Sequence, residues 1–339
     1  MKKIYLTVDT ECHDIDKANQ YIYGKKGNKE FGIVKILELG KKYDVPVNFF
    51  LDVGECRKYG REFISDIVDI IRSYDQPIFF HLHPDYISDD HTRTYLWEYS
   101  EEEQRDIIKK ALGDYASFVE VGDKLIFRAG RYGVNSTTYD ILSGLECEVL
   151  DLSYLCNNNK MCKLDTSEVN TQNAAIKYKG VTLLPNTQFV GFDFLGRKKC
   201  IGLDSSDATY GEFKKIIKSS KLSNVVFTMH SWNFIRKWFF LNKYIQCDKA
   251  MERKFKKSVI FARENGYEFA NLREYEFKKE PDELINPYRK NKISCILNNF
   301  LRFQKIARLN KKYFAVYSAI YLCALLALTS LVLIFTGVL

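Results

Sequence analysis

The chain has 339 residues, of which 14% are aromatic, six are proline and nine are cysteine with no CxxC pair among them. Its 51 lysines and arginines outnumber its 43 aspartates and glutamates by 8, and residues 289–312 alone hold eight bases and no acid, so the remainder is neutral overall. That balance excludes a nucleic-acid binder with a basic face, the scattered cysteines argue for free thiols in a reducing compartment, and the lack of low-complexity tracts and repeats argues for a folded body.

The chain opens on MKKIYLTVDTE, whose apolar run is too short for a signal-peptide core. The run IYLTV predicts a strand over 4–8. FGIVKILELGKKY predicts a helix over 31–43, VPVNFFLDV a strand over 45–53, and REFISDIVDIIRSY a helix over 61–74. PIFFHLH predicts a strand over 77–83. After a long loop, Ser100 with Glu103 spells a capping box that starts the next helix. A strand at 124–130, a helix at 136–145 and a strand at 147–154 follow. Residues 160–200 read as an irregular insertion. A helix near 209–220 precedes the strand NVVFTMH at 224–230, and a long helix near 240–265 precedes a strand at 267–272. Strand–helix alternation implies parallel strands with helices outside them. About seven such units favour a closed or nearly closed α/β barrel. The runner-up is an open doubly wound sheet, which no glycine-rich dinucleotide or phosphate loop supports.

The C-terminal region reads differently. Residues 313–339 carry no charge over 27 positions, enough to predict a membrane-spanning helix. The bases of 289–312 would form a collar at an anionic membrane surface, with Ile293, Ile296, Leu297, Phe300, Leu301 and Phe303 on the apolar side of a surface-lying helix. The expected organisation is a barrel over 1–280, a basic juxtamembrane segment over 281–312 and a transmembrane tail anchor over 313–339. Positive residues stay on the cytoplasmic side, so the body is expected in the cytoplasm on a single-pass C-terminal anchor.

In parallel α/β barrels the active site gathers at the C-terminal ends of the strands. Here those ends carry Asp9 and Glu11, His81 and His83, Arg128, and His230. Residues two apart on a strand share a face, so His81 and His83 point the same way. Two histidines and a carboxylate make a catalytic metal set with an open position. Zinc is the first expectation, with iron, cobalt and nickel also compatible. A second carboxylate can serve as base, a separate histidine as acid, and Arg128 can orient the base. Together these describe a hydrolytic site for an amide or ester.

TVDTE, FHLHPDY, FRAGRYG and TMHSW, in this order, resemble the motifs of the polysaccharide deacetylases, the NodB-type carbohydrate esterases. The resemblance spans residues 4–235 or so. It implies a distorted (β/α)7 barrel and metal-dependent removal of N- or O-acetyl groups from sugars. It also implies Asp9 as catalytic base, His81 and His83 as metal ligands, Arg128 as the arginine that tethers the base, and His230 as general acid. Tyr132 and Gly133 match the motif whose backbone holds the oxyanion, and Asp151 falls where the family places a polar residue beside the acid. Trp232, with Phe234 and the loop 85–99, is expected to offer aromatic surface to a sugar. The sequence departs from the family in three places. Thr10 stands where a second, metal-binding aspartate is usual, so the ligand carboxylate is Glu11 or Asp9. The histidines are two apart rather than four. Ala129-Gly130-Arg131 stands where a proline is usual.

The function expected is that of a metal-dependent deacetylase acting on an acetylated sugar or lipid-linked glycan at the cytoplasmic membrane face. The alternative is a carbohydrate-binding or scaffold homologue without turnover.

Overall fold

A computed structural model describes residues 2–309 apart from 157–159, 166, 195–196, 239–240 and 290–291, and beyond them residues 319, 322 and 323. The strands are β1 (Lys2–Thr10), β2 (Val47–Asp52), β3 (Ile78–Leu82), β4 (Lys124–Ala129), β5 (Glu148–Asp151), β6 (Ile176–Tyr178), β7 (Val181–Leu183), β8 (Gln188–Phe194), β9 (Arg197–Gly202), β10 (Asn224–His230), β11 (Ile235–Trp238), β12 (Leu241–Cys247) and β13 (Tyr267–Phe269). The α-helices are α1 (Ile33–Tyr43), α2 (Cys56–Tyr59), α3 (Arg61–Arg72), α4 (Glu101–Ala116), α5 (Ser136–Ser143), α6 (Tyr210–Ser219), α7 (Lys249–Glu264) and α8 (Lys292–Leu309).

The main sheet runs in the order β10-β1-β2-β3-β4-β5-β7-β6, with β13 also paired to β1. All its pairings are parallel except the hairpin of β6 with β7. Alternation along the strands divides the interior in two. One face carries Ile4, Leu6, Val8, Phe49, Leu51, Phe80 and Phe127 into the large core under the helices. The other carries Tyr5, Phe50, Phe79, Ile126, Leu150 and Val226 into a smaller concave core. Both faces are buried, as expected of a parallel sheet covered by crossover helices.

The helices form where the sequence supplies both an apolar stripe and a cap. In α3, Ile64, Ile67, Val68 and Ile71 are buried. At the start of α4, Ser100 Oγ accepts from Glu103 N at 3.3 Å and Glu103 Oε2 accepts from Ser100 N at 2.8 Å, the reciprocal cap expected there, contributing about 1 kcal/mol.

The closed barrel is corrected to an open, curled sheet. Among the described residues, β10 and β6 end the sheet without pairing to each other. The residues flanking the separate β8–β9 hairpin, 186–187 and 203–205, lie along the open β10 edge. Thr187 Oγ1 accepts from Val226 N, Asn186 Oδ1 accepts from Thr228 Oγ1, and Thr228 N donates to Leu203 O. The Thr187 side chain and the backbone of Leu203 and Ser205 thus satisfy the part of the β10 edge that a further strand would have paired with. The helix expected from 240 starts later, because β11 and β12 form an antiparallel hairpin and Asp248 caps α7 by accepting from Ala250 N and Met251 N.

The membrane anchor is also corrected. No helix among the described residues is long and apolar enough to cross a membrane. The expected span 313–339 lies outside the described residues except for Ala319, Leu322 and Cys323. The helix before it, α8, carries Lys292, Arg302, Lys305 and Arg308 and docks on the body through a polar stripe. Asn299 Nδ2 and Arg302 Nη1 both donate to Gly191 O at 3.0 Å, Arg302 Nη2 meets the buried Glu212 carboxylate, and Cys295 is buried. The single-pass anchor, and the cytoplasmic membrane-face placement drawn from it, are therefore withdrawn. The ordered body continues past residue 280: Asp282 accepts backbone N–H groups of Gln172, Asn173 and Ala174, and Ile285 bridges to Phe189.

Candidate active site

The concave face of the sheet turns polar toward the strand C-termini. Along β1 that face reads Tyr5, Thr7, Asp9 and then Glu11 just beyond the strand. On β3 it reads Phe79, His81 and then His83. On β4 it reads Ile126 and Arg128, and on β10 Val226, Thr228 and His230. Registry aligns Asp9 with His230 and His81 with Arg128. The period of two therefore brings the strand-end groups to one place.

Arg128 is fully buried. Its Nη1 pairs with Asp9 Oδ1, its Nη2 donates to Thr7 Oγ1 at 3.0 Å, and its guanidinium lies 4.3 Å from the Phe50 ring centroid. A buried charge persists only when paired and hydrogen-bonded, so this arginine and Asp9 hold each other in place.

Glu11, His81 and His83 are all buried and offer one ligand atom each within 4.8 Å of one another. Glu11 Oε2 lies 2.6 Å from His83 Nε2 and 3.7 Å from His81 Nε2. The same oxygen is buried without an aligned hydrogen bond. Such an orphaned oxygen, facing two imidazole nitrogens, fits a divalent cation. His81 Nδ1 lies 2.9 Å from Arg128 O, which turns Nε2 toward the cluster. Burial disfavours the Glu11 carboxylate, but His83, His13 and His81 outweigh it and hold Glu11 well below the usual carboxylate range. Burial likewise opposes charge on His81, and Glu11, Asp9 and Asp52 overcome it and push His81 up. For His83, burial prevails and pushes it down. Of the two candidate carboxylates, Glu11 faces the histidines while Asp9 faces Arg128.

On the far side, His230 Nδ1 lies 3.5 Å from Asp204 Oδ2, and the His230 ring stacks on Trp232 at 4.7 Å between centroids. Burial pushes Asp204 up, partly offset by His230. Asp204 is placed by a backbone bridge to Thr228 and by Lys254 Nζ, which donates to Ser205 O at 2.6 Å.

The remaining expected residues are spread more widely. Asp151 shares a row with Phe127 and so lies on the helix-facing side of the sheet. Its Oδ2 accepts from Tyr139 OH at 2.7 Å and Ser153 N at 3.0 Å, and burial pushes its carboxyl up to about 6. The carboxylate beside His230 is Asp204. Tyr132 OH accepts from Asn186 Nδ2 at 2.8 Å, and Gly133 N donates to Gly130 O at 3.1 Å within its own turn. Phe234 is buried against Phe255.

Besides Asp204, three groups escaped sequence reasoning. Asp52 ends β2 and pairs in register with His81, so the strand-end criterion would have found it. Glu55 follows it, accepting from Cys12 N at 2.6 Å. Burial pushes both carboxyls well above the usual range, with added repulsion on Asp52 from Glu55 and on Glu55 from Glu11. His13, exposed, sets Nε2 3.4 Å from Glu11 Oε1 and packs its ring edge-on to Tyr21 and at a tilt to Trp232. No sequence pattern marks it beyond its place two residues after Glu11.

No family model matches the sequence, and no curated protein matches it. Solved structures do. A Mycobacterium smegmatis protein assigned as a polysaccharide deacetylase aligns over 80% of this chain and 88% of its own, at 12% identity and a TM-score of 0.50. A family 4 carbohydrate esterase from Streptomyces lividans, solved with acetate, covers 80% and 93% at 10% identity and a TM-score of 0.41. A family 4 acetyl xylan esterase from Clostridium thermocellum, solved with cobalt, covers 80% and 89% at 12% identity and a TM-score of 0.39. The chain thus has the fold of the Mycobacterium smegmatis protein, which is assigned to the family its motifs resemble.

Proposed function

We propose that this protein is a metal-dependent hydrolase that removes an acetyl group from an acetylated sugar or glycan. The observation that carries the reading is the convergence on one concave face of Glu11, His81 and His83, the Asp9–Arg128 pair and the His230–Asp204 pair. The histidine–carboxylate set suits zinc, and iron, cobalt or nickel as well. When bound there, the ion supplies Lewis acidity toward the acyl group and the attacking water.

The chain's own residues do the rest. Asp9 takes the proton of the attacking water, and Arg128, paired with its Oδ1, keeps Asp9 aimed. His230 returns a proton to the departing sugar nitrogen or oxygen, and Asp204 holds its ring by facing Nδ1. Trp232 and His13 present ring surface beside the site for the sugar. The test is acetate release from a panel of N- and O-acetylated sugars by the metal-loaded protein. Asp9→Asn should lose roughly 100- to 10,000-fold in rate, and an unchanged rate would end the assignment of Asp9 as base.

A second reading, a sugar-binding homologue without turnover, is favoured by one observation. Thr10 stands where the family has its metal-binding aspartate, and its hydroxyl turns to Val8 O at 3.4 Å. Bound sugar with little bound metal and no acyl product from any panel member would favour it.

A further inference from the structure

His81 and His83 face the same carboxylate but are prepared differently for a metal ion. A ring nitrogen coordinates through a lone pair, so a ligating imidazole carries its hydrogen on the other nitrogen. His81 Nδ1 faces the carbonyl oxygen of Arg128 at 2.9 Å. A carbonyl only accepts, so Nδ1 carries the hydrogen and Nε2 offers its lone pair to the site.

His83 is the reverse. Its Nδ1 lies 3.0 Å from Arg131 Nη1. A guanidinium only donates, so Nδ1 accepts, and the neutral ring carries its hydrogen on Nε2. That is the atom 2.6 Å from Glu11 Oε2, where a lone pair is needed. Only a glycine fits against the face of this ring: a Cβ at 130 would lie 2.5 Å from the ring atoms. The arginine is aimed by an unusual turn, with Arg131 at φ 52° and Tyr132 at φ 57°. Consecutive non-glycine residues in the left-handed region cost free energy and are found where function needs the geometry.

An alternative partner for Nδ1 is already in place. Asp85 Oδ1 lies 3.8 Å from His83 Nδ1 and 3.1 Å from Arg131 Nη1. Arg131 has a route away, since its side chain is 31% exposed.

We propose that Arg131 and Asp85 compete for His83 Nδ1 and thereby set the affinity of the Glu11–His81–His83 site for a divalent metal ion. With Arg131 on the ring the site is held against the ion. With Arg131 withdrawn, the hydrogen moves within the neutral ring from Nε2 to Nδ1, donates to Asp85, and leaves Nε2 free to coordinate. No proton is gained or lost by the ring. Both residues act through His83 as positioning residues, and the inference rests on the metal-site reading above.

The test is metal affinity of the full chain, by competition of zinc against a chromophoric chelator and by the cobalt absorption spectrum. Arg131→Met should tighten binding by at least about tenfold, and Asp85→Ala should weaken it by about 10- to 100-fold, the usual range for the outer partner of a ligating histidine. Unfolding midpoints without metal check that each variant is folded. Tightening by Arg131→Met is opposite in sign to the effect of structural damage. If the wild type binds metal and Arg131→Met binds equally or more weakly, this inference is overturned while the metal site stands. If Asp85→Ala leaves the affinity unchanged, the inference is likewise overturned. If the wild type binds metal weakly and Arg131→Met binds it tightly, the inference is supported. If neither binds, the metal-site reading falls and this inference with it.

Discussion

Glu11, His81 and His83 are exposed by only 6%, 2% and 3% and stand at the ends of β1 and β3, two strands inside a parallel sheet. His230 has 29% of its side chain exposed, and its partner Asp204 comes from the irregular segment that covers the sheet edge. On the first side, backbone ladders and the buried Asp9–Arg128 pair fix the ligand atoms before any ion arrives. On the second, position depends on a few side-chain contacts from loops, such as Lys254 to Ser205 O. The sheet thus supplies precision where ligand geometry must be tight. The loops leave the His230 side open, the access that the proposed substrate would need.

Breaking the loop side should therefore act on the reaction and leave metal binding alone. His230→Ala should lower kcat by roughly 100- to 10,000-fold, the usual worth of a positioned general acid, with metal affinity unchanged. A parallel loss of metal would merge the two halves. Between them in size is a stability effect at Asp151, which serves the helix-facing side. Its carboxyl is pushed from 3.8 up to about 6 by burial. Between those values the folded state holds the proton that the unfolded chain has released, so stability falls as pH rises. The whole effect is about 3 kcal/mol, complete near pH 6 and absent below about pH 4. Urea unfolding of wild type against Asp151→Asn should show that difference shrinking with rising pH. A difference independent of pH would mean that Asp151 is ionised throughout. The smallest effect expected is at Trp232, where alanine should raise KM about tenfold with little change in kcat, about 1.4 kcal/mol of binding shared by ground and transition states.

The sequence was legible where structure is periodic. Alternation along β1, β3, β4 and β10 was enough to place Asp9, Glu11, His81, His83, Arg128 and His230 toward one pocket, because a period of two fixes the face of each residue. Asp151 was placed by the family resemblance alone, and alternation argues against it: its neighbour Leu150 faces the concave core, and Asp151 faces α5. Asp204 was not legible at all, since a bridge to Thr228 brings it to His230 from an aperiodic stretch. Closure of the sheet could not be read either, because strand count says nothing about whether the last edge is met by backbone or by Asn186 and Thr187. In α8 the spaced apolar residues, of which Ile293, Ile296, Leu297, Phe300 and Leu301 are exposed, could be read from sequence, whereas Cys295, Asn299 and Arg302 form a stripe whose partners lie at Gly191, Asp207 and Glu212. Contacts of such long sequence separation leave no local trace.

The central claim is that Glu11, His81 and His83 hold a divalent ion, and metal content per chain tests it most directly. The protein, purified without an affinity histidine tag and dialysed against zinc, iron, cobalt or nickel, should retain about one ion per chain, and the His81→Ala/His83→Ala variant should retain none, since removing two of three ligands leaves no chelate. Retention of the same ion by both proteins, or by neither with any of these metals, would contradict it.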